Sequence, residues 1–142
     1  MTAARQPLLL DADAPRPVHA AAAEWVAIID DHASMRSSLS RALRLDGFQV
    51  ECFASAEAYL DRDPVPPPLC LVMDMHLPGM SGHDLAHCLA RARPPSPPVI
   101  FISGHDDLLA SLDGCCGHHG RLRKPFEIDA LLALVRSLAA AR

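Results

Sequence analysis

Three runs in the chain are apolar or nearly so: WVAII at 25–29, LCLVM at 69–73 and VIFIS at 99–103, whose last residue alone is polar. Runs of this length with no alternation fit strands buried on both faces. FQVECF at 48–53 reads as a further strand, and RLR at 121–123 as a short fifth. Helical spacing fills the gaps between them. Met35, Leu39, Ala42 and Leu43 recur on one face, and Gly47 closes that helix. Ser55 predicts the cap of a short helix running to Asp61. Ser81 and Asp84 have capping-box form ahead of a helix that turns Leu85, Cys88 and Leu89 inward. DDLLASL at 106–112 predicts a weak helix. The closing EIDALLALVRSLAAA places Ile128, Leu131, Leu132, Val135 and Leu138 on one face. Strand and helix alternating through short connections predict an α/β fold, a parallel sheet with helices on both faces.

Composition sharpens this picture. Residues 1–23 are rich in Ala, Pro and Asp and show no period, so they read as a disordered or loosely docked leader. The folded domain is expected over 24–142. With 142 residues, half of them hydrophobic, the chain can build one core and not two. The net charge of −4 and the lack of a basic stripe argue against direct nucleic-acid binding and against an anionic membrane. No apolar stretch is long enough to span a bilayer. Cysteines at 52, 70, 88, 115 and 116 are odd in number and sit mostly in apolar segments. They read as reduced core thiols of a cytoplasmic protein.

The polar residues at the strand ends carry the chemistry. Ligands of open parallel sheets bind beyond the carboxyl ends of the strands. There the chain places Asp30-Asp31, Asp74, Ser103-Gly104 and Lys124-Pro125. Clustered carboxylates repel one another and invite a hard divalent cation, Mg²⁺ first among them. One carboxylate could then attack a phosphoryl group, while a Ser hydroxyl and a Lys ammonium bind its other oxygens. Pro78-Gly79 would turn the chain away and leave Asp74 accessible.

IIDDHASMRSSL, VMDMHLPGMSG, VIFISGH and RKPFE, in that order, resemble the receiver domains of two-component response regulators. DMHLPGMSG and KPFE are most similar to receivers of helix-turn-helix transcriptional regulators of the FixJ type. The likeness runs from Trp25 to Ala139. It implies a doubly wound (βα)5 domain with the flavodoxin-like strand order 2-1-3-4-5. It also implies roles. Asp74 matches the phosphorylated aspartate. Asp31, the His76 backbone carbonyl and Asp74, with Asp30 acting through water, match the Mg²⁺ site. Ser103 matches the switch hydroxyl, and Lys124 the lysine that pairs with the phosphoryl group, ahead of a cis bond to Pro125. Gly104 matches a small residue beside the site, and His76 and His105 fall where the family tunes acyl-phosphate lifetime. The implied partners are a histidine kinase or phosphotransfer protein and a downstream protein or second copy. The domain would catalyse its own acylation and hydrolysis and would not turn over a small molecule.

Two departures stand out. Arg121 occupies a position that is usually aromatic, and Cys116-Gly117-His118-His119-Gly120 replaces a small apolar segment. They support an alternative, a phosphorylation-independent interaction module on the same fold, with Arg121, Gly104 and His105 on the partner face. Cys115, Cys116, His118 and His119 lack the usual spacing of a zinc site. A phosphatase with an aspartyl nucleophile would carry a second acid at position 76, which here is His76. G-x-G-x-x-G and P-loop patterns are missing. The chain ends soon after its last helix, so no output domain is expected within it.

Overall fold

The computed structural model describes residues 25–62, 66–92, 97–104 and 118–141. The leader at 1–23, the helix expected at 106–112, His105 and Cys115-Cys116 lie outside the described residues. The elements in chain order are β1 (Trp25–Ile29), α1 (Ala33–Leu45), β2 (Gln49–Phe53), α2 (Ala56–Leu60), β3 (Cys70–Asp74), α3 (Gly82–Ala92), β4 (Val99–Ser103), β5 (His118–Arg123) and α4 (Ile128–Ala140). The five strands form one sheet in the order β2-β1-β3-β4-β5. Every pairing is parallel. This is the doubly wound 2-1-3-4-5 arrangement expected above.

All five residues of β1, β3 and β4 are buried. Alternate residues feed two separate cores, as the two-residue period of a strand requires. Ala27, Ile29, Leu71, Met73 and Phe101 face α2 and α3 with Tyr59 and Leu85. Val26, Ile28, Val72, Ile100 and Ile102 face α1 and α4 with Leu39, Leu43, Leu131 and Val135. Each fully buried aliphatic or aromatic side chain contributes about 1.5–3 kcal/mol. The sheet therefore holds the carboxyl ends of its central strands in fixed register.

Several local expectations hold and some need correction. Ser55 Oγ accepts from Ala58 N at 3.0 Å, and Ser81 Oγ accepts from Asp84 N at 3.0 Å. Gly47, with φ of 98°, reverses the chain after α1. Cys88 is exposed on α3, and Ala86 takes the inward position beside Leu85. The helix turns about 100° per residue, so positions 85, 86 and 89 share a face and 88 leaves it. Among the described cysteines Cys70 alone is buried, and its thiol is pushed up to about 12 by that burial. Ile128 is exposed at the start of α4. Strand β5 begins three residues earlier than RLR, at His118, and His119 is an extra residue at an irregularity against Val99 and Ile100.

Candidate functional site

The site is a rim built by the ends of β1, β3, β4 and β5. Asp74 is the last residue of β3, and Ser103 the last of β4. Asp30 follows β1 directly, and Lys124 follows β5. Asp30, Asp74 and Ser103 are buried, while Asp31 is exposed. A carboxylate at 4% exposure is held only where charge or hydrogen bonds compensate it. Asp74 has both. Its Oδ1 accepts the His76 backbone N–H at 2.9 Å, and Lys124 Nζ donates to its Oδ2 at 3.3 Å. The two oxygens therefore stand in different environments.

Asp30 is fixed from every side. Its N–H donates to Phe53 O at 3.1 Å, and its carbonyl accepts Arg36 Nη1 at 2.8 Å. Its Oδ1 accepts the His32 N–H at 2.9 Å, and Oδ2 lies 3.9 Å from Lys124 Nζ. Lys124 is itself anchored through its N–H to Ser103 O at 2.8 Å, and its bond to Pro125 is cis. One ammonium thus faces two buried carboxylates.

The loop after Asp74 is shaped by two glycines. Gly79 follows Pro78 with φ of 73°, the left-handed conformation that a Pro-Gly turn requires. A Cβ there would lie 2.8 Å from Glu57 Oε2. That carboxylate accepts the Met80 N–H at 3.0 Å, which holds its pKa below the usual carboxylate range. Gly82 opens α3 against the backbone of Asp74, since a Cβ there would sit 2.7 Å from Asp74 O. Met75 N donates to Ile102 O at 2.9 Å and ties the loop to β4. The Pro-Gly-Met-Ser-Gly stretch after Asp74 is thus a packed turn that leaves Asp74 at the rim.

Ligand atoms of Asp30, Asp31, His32 and Asp74 lie within 4.8 Å of one another. Three carboxylates so close favour a divalent cation, and the donor set fits one that prefers oxygen. The sequence reading did not single out His32. Its signal is plain only in retrospect, in IIDDH, where the residue after the acid pair takes the N-cap position of α1 and stays beside that pair. Glu57 was missed too, since nothing in the local sequence links it to residue 80.

The remaining expected residues fall as follows. His76 is exposed beside Asp74. Gly104 is exposed, and a Cβ there would meet nothing within 4 Å. Arg121 is exposed on β5, opposite the buried Phe101. Gly120 lies against Leu134 of α4, whose Cδ1 would be 3.0 Å from an added Cβ. Among the described residues no helix is long and apolar enough to cross a membrane.

Residues 26–136 match the family model of the response regulator receiver domain. The chain is 36% identical over 111 residues to the transcriptional regulatory protein FixJ of Bradyrhizobium diazoefficiens, covering 78% of this chain and 54% of FixJ. It is 34% identical over 116 residues to the response regulator protein TodT of Pseudomonas putida, covering 81% of this chain and 51% of TodT. The chain spans about half the length of these relatives. A crystal structure of a response regulator receiver domain protein from Clostridium thermocellum superposes with a TM-score of 0.74 at 24% identity, over 83% of this chain and 95% of that one. At that identity the likeness speaks for the fold.

Proposed function

Because the chain belongs to the response regulator receiver domain family, we propose that Asp74 accepts a phosphoryl group from a phosphohistidine of a histidine kinase or phosphotransfer protein. The receiver unit is taken as residues 24–142. A carboxylate oxygen of Asp74 forms the new O–P bond as the donor's N–P bond breaks, and the pair of electrons returns to the imidazole. Asp31, Asp74 and the His76 carbonyl would hold Mg²⁺, with Asp30 behind them. The cation supplies neutralisation of charge on the transferring group. Lys124 offers its ammonium to a phosphoryl oxygen, and Ser103 its hydroxyl. The phosphorylated form then changes the domain's affinity for a downstream protein or a second copy. The chain acts as an acceptor and not as a turnover enzyme.

The observation that carries this reading is Asp74 itself. It is buried at a strand end, with one oxygen on a backbone N–H and the other facing Lys124. The test is intact-protein mass after incubation with a phosphoramidate and Mg²⁺. A single phosphoryl adduct is expected on wild type, none on Asp74→Asn, and none when a chelator is added. An adduct of equal yield on Asp74→Asn would refute the assignment.

A further inference from the structure

His32 is the side chain at the rim that this scheme leaves without a task. Its Nδ1 lies 3.3 Å from Asp30 Oδ1 and 3.2 Å from Asp31 Oδ1. Its position is built in, since it occupies the N-cap position of α1 and its N–H donates to Asp30 Oδ1 at 2.9 Å. The helix start therefore holds the imidazole over the carboxylates. The ring is 67% exposed, so its approach to the rim is open to solvent. A nitrogen donor thus joins three carboxylates in a cluster no wider than 4.8 Å.

We propose that His32 gives its imidazole nitrogen to the divalent cation at this rim and shifts the preference of the site from Mg²⁺ towards Mn²⁺ and later first-row ions. The proposal rests on the phosphoacceptor reading, which places a cation among these carboxylates. Its physical basis is donor softness. Mg²⁺ takes oxygen ligands and dehydrates reluctantly. Imidazole suits transition ions, whose affinities for nitrogen rise along the Irving–Williams order. Carboxylates alone discriminate little between Mg²⁺ and Mn²⁺, whereas one added nitrogen favours the second.

The experiment uses the full chain. Calorimetry gives the Mg²⁺ and Mn²⁺ affinities of wild type, His32→Gln and His76→Gln. Pulsed electron paramagnetic resonance of the Mn²⁺-loaded protein, with ¹⁵N-labelled histidine, reads nitrogen coordination directly. A nitrogen coupling is expected in wild type and in His76→Gln, and its loss in His32→Gln. That variant should lose about tenfold in Mn²⁺ affinity while Mg²⁺ binding moves by less than about twofold. Bound Mn²⁺ without nitrogen coupling overturns the proposal and leaves the acceptor reading intact. So does tighter Mg²⁺ binding in His32→Gln, which would mark the imidazole as a competing cation. If neither ion binds folded wild type, both readings fall together.

Discussion

The rim of the central strands and the β5 edge are neighbours in one sheet, yet they are built on opposite rules. Strands β1, β3 and β4 are buried along their whole length, and their polar residues come only at the carboxyl ends. Strand β5 reads HHGRLR, pairs on one side only among the described residues, and carries an irregularity at its start. The register pair Phe101 and Arg121 states the contrast most simply. They point to the same face of the sheet, one fully buried and the other exposed. The lesson is that the proposed acceptor, Asp74, stands on the buried centre. The exposed edge reaches Asp74 only through Lys124, which follows β5 and lies 3.3 Å from Asp74 Oδ2.

The sharpest way to break this comparison is to truncate each partner of the pair. Phe101→Ala should cost about 3–5 kcal/mol in urea denaturation, through lost burial and a cavity. Arg121→Ala, at an exposed site, should cost about 1 kcal/mol or less and keep its phosphoryl adduct. Comparable losses from both would erase the distinction between centre and edge.

A cation held at the centre should stabilise the whole fold, and residues of the centre should control that gain. Mg²⁺ at about a hundred times its dissociation constant adds about 2.7 kcal/mol by mass action. Thermal unfolding with and without Mg²⁺ should show that gain in wild type and in Arg121→Ala, and its loss in Asp31→Asn. A gain that survived in Asp31→Asn would move the cation away from the acid pair.

Gly82→Ala tests how tightly the centre is built. Its Cβ would press on Asp74 O at 2.7 Å, so the turn must shift. A destabilisation of about 1–3 kcal/mol is expected, with slower adduct formation read by mass. Gly104→Ala, with open space around it, should leave stability within about 0.5 kcal/mol. An equal effect at both glycines would contradict the geometry.

The smallest effect concerns pH. The Met80 N–H lowers the folded pKa of Glu57, and bonds from Arg62 and Arg136 lower those of Glu51 and Asp46. A lowered folded pKa gives stability that is present above the unfolded pKa and is lost as pH falls through the folded value. Unfolding scans between pH 7 and pH 3 should therefore show loss beginning below about pH 4.3, the ordinary Glu value. Glu57→Gln should flatten part of that slope and speed amide exchange at Met80.

The same contrast explains what was legible in the sequence. Burial on both faces writes a continuous apolar run, so the three central strands and the polar residues ending them stood out. An edge strand packs on fewer neighbours, and β5 accordingly showed only RLR of its six residues. Cys88 was misplaced because an apolar residue type says little about which side of a helix it occupies. Asp30, Asp74, Ser103 and Lys124 were legible because polar groups at strand ends are costly without a use. His32 and Glu57 were not, since their roles depend on contacts that only the folded backbone creates.

The central claim is that Asp74 carries the phosphoryl group. The most direct measurement is borohydride trapping of the phosphorylated protein, followed by peptide mapping. Reduction of an aspartyl phosphate leaves homoserine at the modified position. Homoserine at position 74, dependent on Mg²⁺ and on the phosphodonor, is the predicted result. Homoserine at position 30 or 31, or at no position in protein that binds Mg²⁺, would contradict it.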